Sequence, residues 1–438
     1  MRARILAAAA AAAFLLVGSV PSAGAAGAPV FPNLKTLPPD HLSFDTVTLT
    51  DGLPHVVLRF GNTAWNAGQG PLELRAEPLD IDTATAYQRV LDANGQLVSE
   101  RVIGQFIFHP QHNHYHLEDF ALYQLWTRSE YDAWVASGGT SGAPMAVSTK
   151  VTFCLEDGLR LAPTLPGSPA QPTYTICSQT GLSGISVGWA DWYPAYLYGQ
   201  WVDLGQAALA DGNYVVRSVA DPDNLIWESA NGADQSRESQ ADNQAITPFR
   251  VTGGVIYEQL LTDGFESGLV AWPKHPGVTV QSANVFSGTA AARAAAGGSP
   301  AYLNHDVLLG RNTVRLDARF DLVSQSTRAG LAAVKTSAGR TIGIVFVGTG
   351  GKLGFKDAIT GVTTMSSRKV SRGAWHRLEL QLSVGAADRV QISLDGASAL
   401  DLSGDLGSAA VGRLLLGDTA SGRTFVELFD DVLLEASS

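Results

Sequence analysis

This chain has little cysteine, little charge and no long helical pattern. Only two of its 438 residues are cysteine, Cys154 and Cys177, so one disulfide is the most it can form. Charged residues make up 16%, and acids outnumber bases by 41 to 30. An acidic surface repels nucleic acid and favours cationic partners at long range. Downstream of the first residues there is no apolar run of about 20, the length a membrane-spanning helix needs. Apolar residues nowhere recur at helical spacing over a long window, which argues against a helical bundle. Residues 129–136 are the exception, a short helix with Ser129 as its expected cap.

Glycine and turn signals are abundant. The 46 glycines and 20 prolines are spread along the chain and read as turns between short strands. The expected fold class is all-β, and the length suits two or three domains. Residues 1–28 read as an export signal. Arg2 and Arg4 open it, an apolar stretch with Phe14-Leu15-Leu16 follows, and Ala23-Gly24-Ala25 offers small residues for cleavage after Ala25 or Ala26. The mature protein is then expected to be secreted, and the formal charge of −11 becomes −13 once both arginines are removed. In an exported chain, Cys154 and Cys177 suggest a disulfide closing about 22 residues, worth ~3 kcal/mol in the chain-entropy picture.

Residues 29–252 read as one β-rich domain. His55–Phe60 is a run of strand formers, Gly61–Gly70 a turn-rich loop, and Pro71–Arg75 alternates as a half-buried strand does. Asp92-Ala93-Asn94-Gly95 between apolar runs signals a hairpin. Four of the nine histidines then fall within His109–His116. His112, His114 and His116 are two residues apart, and in a strand such positions point to one side. Three imidazoles on one face can converge on a metal; copper, zinc, iron and nickel all suit imidazole, and copper(II) binds most tightly among the divalent ions. A patch of unligated histidines is the plainer alternative.

The stretch His112-x-His114-x-His116 followed by Leu117-Glu118-Asp119-Phe120-Ala121-Leu122-Tyr123 resembles the copper-binding segment of lysyl oxidases. The resemblance implies that His112, His114 and His116 are copper ligands, with His109 outside the triple. It extends to Lys150-Val151-Thr152-Phe153-Cys154-Leu155-Glu156-Asp157, where the family carries Lys-x-x-Phe-Cys-Leu-Glu-Asp. Gly188-Trp189-Ala190-Asp191-Trp192-Tyr193 and Gln200-Trp201-Val202-Asp203 are similar to two further family segments. It thereby implies a lysine tyrosylquinone made from Lys150 and Tyr193, with Tyr196 and Tyr198 as structural neighbours. Without the family match, Lys150 is the polar face of a strand and Tyr193 a core aromatic. Asp191 is the candidate catalytic base and Asp203 the runner-up; a purely structural carboxylate is a nearly equal reading of Asp191. The implied activity is oxidation of a primary amine, peptidyl lysine in the family, by dioxygen. Glu228, Glu238, Asp242 and Asn243 resemble the family's closing loop, for which a calcium site and a solvated loop are both open. Animal members carry several disulfides where this chain has one cysteine pair, so the pairing of Cys154 and Cys177 need not copy theirs.

Residues 253–262, beginning Gly253-Gly254, read as a linker, and 263–438 as a second all-β domain. Strands are expected at 313–320, 341–347, 375–382, 389–394 and 429–434, where alternation is plain. The pattern is similar to laminin-G-like or concanavalin-like jelly rolls, which implies a β-sandwich and leaves a polymer or cell-surface ligand and a passive appendage both open. Asp430 and Asp431 read as a solvated acidic pair rather than calcium ligands. Two other functions compete. His112-x-His114-x-x-x-Glu118 meets the core of a cupin motif, as for an oxygenase or zinc hydrolase, but lacks the flanking glycines and leaves Lys150 and Tyr193 without a role. A secreted, non-catalytic adhesion protein with a structural metal is the other.

Overall fold

The computed structural model describes residues 27–109, 114–148, 153–175, 181–229, 242–385 and 388–437. Among these the architecture is all-β: four sheets and one nine-residue helix. The alternation of the sequence is reproduced in burial. Thr83–Asp92, for example, alternates half-buried and buried residues over eight positions.

Two sheets and part of a third enclose the first core. Strands Leu72–Pro78, Thr83–Asp92, Leu97–His109 and His114–Leu117 run antiparallel in that order. The Thr83–Asp92 and Leu97–His109 hairpin closes at Gly95, whose φ of 76° favours glycine. A second sheet is built around the long strand Pro54–Asn66, which pairs with Leu34–Thr36, Asp40–Thr48, Trp189–Tyr193 and Trp201–Asp203. Here the expectation of a turn-rich loop at 61–70 fails in its first half. Asn62 and Thr63 are buried and pair with Tyr193 and Trp192, so tertiary pairing overrides the local turn preference. Leu58, Phe60, Phe106, Phe120 and Tyr123 fill the space between.

The helix is Arg128–Ala136, and its cap is Thr127 rather than Ser129. The Thr127 hydroxyl accepts from the Glu130 N–H at 3.2 Å. Extended backbone at Thr127, ending the strand before it, puts that hydroxyl where an N-cap must be.

The second core lies between a sheet containing Thr313–Gln325, Trp375–Ser383 and Thr424–Ser437 and a six-stranded sheet containing Ala301–Arg311, Ala329–Thr336 and Val411–Asp418. Strands cover each of the five expected segments. The residues expected as a linker, 253–262, form a two-glycine turn and most of strand Val255–Asp263. That strand pairs with Gln244–Thr252 on one side and with Thr424–Ser437 on the other, so one sheet runs through both halves. Asp430 is fully buried, not solvated; its carboxylate accepts from the Phe286 and Ser287 N–H groups.

Candidate metal and tyrosine site

The strand bearing the histidines starts at His114 and lies antiparallel to Leu97–His109, with His114 opposite His109 and His116 opposite Ile107. His114 and His116 share a face, as residues two apart in a strand must. Their rings stack at 4.9 Å, and their Nε2 atoms stand 2.9 Å apart. Both ring nitrogens therefore address one small volume. His116 is buried and His114 half-buried. His112 and Lys150 lie outside the described residues, as do Cys177 and Glu238. Among the described residues no three His, Cys, Asp or Glu side chains are grouped as metal ligands.

Leu117, next to His116, bridges to Phe153: each donates its N–H to the other's carbonyl, at 2.7 and 3.1 Å. Phe153 packs edge-on against Tyr193, ring centroids 4.4 Å apart. The Tyr193 hydroxyl accepts from the Cys154 N–H at 2.9 Å and faces the Cys154 carbonyl at 3.2 Å. The segment that follows Lys150 in the chain is thus wedged between the histidine strand and the tyrosine. Cys154 is buried, and no described cysteine is a free thiol. Tyr196 and Tyr198 are exposed at the surface, which separates them from Tyr193.

Asp191 and Tyr193 are two apart on strand Trp189–Tyr193 and share a face. Asp191 is 3% exposed, and its Oδ2 accepts no hydrogen bond among the described residues. Burial, then the charges of Glu156 and Asp157, push its carboxyl well above the usual range. Burial and the adjacent Asp191 likewise hold the Tyr193 phenol well above its usual value, so it rests neutral. Asp203 is placed differently. It is partly exposed, accepts from the Gly205 N–H at 2.8 Å, and pairs with His55 at 2.9 Å.

Two residues of the family-like segments, given no role from the sequence, also meet at this site. Tyr123 is fully buried, and its hydroxyl donates to Gln200 Oε1 at 3.4 Å; it lies within electrostatic range of Asp191. Asp157 accepts from the N–H groups of Thr173, Tyr174 and Ser186 and from the Ser186 hydroxyl, clamping the segment after Cys154. Tyr123 has the alternation of any core strand residue, and Asp157's donors come from distant positions, so neither carried a local signal.

In the closing loop, Glu228 accepts from Asn243 Nδ2 at 2.8 Å and from the Leu34 N–H, while Asp242 pairs with Lys35 at 3.2 Å. Asn243 Oδ1 is buried and accepts no hydrogen bond among the described residues.

Residues 92–238 match the family model of lysyl oxidase. The matched segment holds His114, His116, Cys154, Asp191 and Tyr193. Lysyl oxidase homolog 2 of Xenopus laevis is 30% identical over 199 residues, covering 42% of this chain and 23% of its own length. Lysyl oxidase homolog 4 of Homo sapiens is 30% identical over 125 residues, covering 28% and 14%. The chain thus spans less than a quarter of the length of these curated relatives. Among solved structures, the cellulose-induced protein Cip1 aligns with 40% of this chain at 14% identity and a TM-score of 0.34. A glucuronan lyase from the fungus Trichoderma reesei aligns with 41% at 18% identity and 0.31. Among the described residues no helix is long and apolar enough to cross a membrane.

Proposed function

We propose that the chain is a secreted, copper-dependent primary-amine oxidase of the lysyl oxidase type. The net reaction converts a primary amine, dioxygen and water into an aldehyde, ammonia and hydrogen peroxide. The observation that carries the reading is the junction of three segments: His114 and His116 sharing one focus, Leu117 bridged to Phe153, and Phe153 packed on Tyr193. An all-imidazole donor pair in a buried strand suits copper, with His112 as the third ligand. Copper with dioxygen, together with a quinone made from Lys150 and Tyr193, would supply the redox chemistry that no ordinary side chain offers.

The chain's own residues have separable tasks. Cys154 holds the Tyr193 hydroxyl through its backbone, and Phe153 fixes the ring plane. Asp191 is the base for the proton on the substrate carbon beside nitrogen. Its buried Oδ2 accepts no hydrogen bond among the described residues, and its raised proton affinity makes it a stronger base once ionised. The buried position of Asp191 limits water access to that transfer. Peptidyl lysine and small amines are both accommodated by this chemistry. The Cys154–Cys177 bridge would pin the Phe153–Cys154 segment, and Asn243 Oδ1 is the feature of the closing loop that suits calcium. Residues 29–252 would carry the catalysis and 263–438 an appended β-sandwich.

The test is a visible spectrum and a phenylhydrazine reaction of protein matured with copper and oxygen, beside Tyr193→Phe and Lys150→Ala. A quinone band and hydrazone lost in both variants support the proposal. A band that survives Lys150→Ala indicates a quinone formed without the lysine. Copper bound with no chromophore overturns the oxidase reading.

A further inference from the structure

The second sandwich contains an anomaly unrelated to the tyrosine site. Glu427 is 0% exposed, and neither of its carboxylate oxygens accepts a hydrogen bond among the described residues. Its register fixes where it points. On strand Thr424–Ser437 it lies between Phe425 and Phe429, and its cross-strand partners are Ala294 and Leu322, all four in the apolar core. Glu427 therefore projects into the space between the two sheets. A carboxylate left there alone is expensive, and buried polar groups without partners are rare.

Two more acceptors face the same space. Asp418 ends strand Val411–Asp418 in the opposing sheet, in step with the core residues Leu414 and Leu416 and paired with the core residue Ala301. Its Oδ1 accepts from the Ala420 N–H at 2.9 Å, but its buried Oδ2 accepts no hydrogen bond among the described residues. The nearest cation, Arg423 Nε, is 3.6 Å from that Oδ2. Gln325 is paired with Phe425, so it lies diagonally beside Glu427 on the same face. It is 8% exposed; its Nε2 donates to the Thr327 and Gly348 carbonyls, and its Oε1 is buried and unpartnered. Gly330 keeps the space open, since a Cβ there would sit 3.0 Å from Asp418 Oδ2. Arg328 and Arg423 interact with Asp418, whereas the charge that Glu427 feels is that of Asp418.

We infer that Glu427, Asp418 and Gln325 form an internal site for a hard divalent cation of the calcium class, tying the two sheets together. Oxygen is the only donor type among the three, which favours calcium over copper or zinc. One ion would supply a missing partner to Glu427 and Gln325 Oε1 and a closer cation than Arg423 to Asp418 Oδ2. It would act as a cross-link in a chain whose second half contains no cysteine.

The experiment uses the full mature chain, stripped with a calcium-selective chelator and titrated with calcium alone. Bound calcium per chain and the thermal midpoint are both read. Glu427→Gln and Asp418→Asn are compared with wild type, and Asp242→Asn controls for the separate closing loop. Each of the first two should bind one calcium fewer, with affinity at this site reduced about tenfold or more, while Asp242→Asn retains it. Equal calcium content in wild type, Glu427→Gln and Asp418→Asn overturns the inference. So does a wild-type midpoint that calcium does not raise, which would mean that Glu427 is simply protonated in the core. Circular dichroism of the metal-free forms checks folding. If one variant fails to fold, the other, from the opposite sheet, decides, and the wild-type titration stands by itself.

Discussion

At the scale of single residues, Asp191 is where stability and function pull apart. Burial and two neighbouring carboxylates raise its proton affinity, so the native state keeps a proton that the unfolded chain releases near pH 4. The contribution to stability is then full below about pH 4 and is lost as pH rises toward the folded-state value. Asp191→Asn is accordingly expected to melt higher than wild type at pH 7, by roughly 2–4 °C, and to show no gain below about pH 4. The same substitution should lower turnover about 10²–10⁴-fold if Asp191 is the base. Melting curves at both pH values and amine-dependent peroxide release check the pair. His116→Ala leaves His114 without its stacked neighbour, and copper content should fall about tenfold or more in a metal assay of the purified chain. Tyr193→Phe should abolish the chromophore and remove the hydrogen bond from the Cys154 N–H to the Tyr193 hydroxyl, costing about 1 kcal/mol in denaturant unfolding.

At the scale of elements, the histidine motif shows how far a period-two pattern can be trusted. Spacing alone placed His114 and His116 on one face, because alternation is a local property of any strand. It did not reveal that their strand is the return arm of a hairpin from Leu97–His109, or that Leu117 would pair with Phe153. The helix cap is a similar case. Thr127 and Ser129 have the same chemistry, and only the backbone at the end of strand Ala121–Thr127 selects between them. Thr127→Ala should therefore cost about 1 kcal/mol and Ser129→Ala almost nothing, as measured by urea unfolding. Gly184 is the tight point of strand Leu182–Ile185. A Cβ there would lie 2.0 Å from the Leu72 carbonyl oxygen, and its N–H bonds to Leu155 beside the tyrosine site. Gly184→Ala should destabilise by about 1–3 kcal/mol and lower activity at ambient temperature with it.

At the scale of the whole molecule, the two halves are joined by a shared sheet rather than a tether. Ile256 packs in the first core while Leu261, on the same strand, packs in the second. Glu258 between them accepts from the Leu42 N–H at 2.6 Å and from Arg311 at 3.0 Å, reaching into both halves. Both side chains of that ion pair are buried. Arg311→Met leaves Glu258 buried without its cation and should cost about 3 kcal/mol. Adding Glu258→Gln, which keeps an acceptor for Leu42, should recover part of the loss, and a double-mutant cycle in urea measures the difference.

Read by itself, the sequence determined what local chemistry determines. Alternation and turn residues specify an all-β chain, and the segments around His114, Phe153 and Tyr193 carry the likeness to lysyl oxidase. Tertiary structure alone decided which segments meet. Tyr193 packs against Phe153, whereas Tyr196 lies at the surface. Asp191 is proton-hungry because it is buried beside other carboxylates, and Glu427 has no hydrogen-bond partner among the described residues because its strand turns it into the core. Burial and charge proximity depend on residues tens to hundreds of positions away, and no local pattern encodes them.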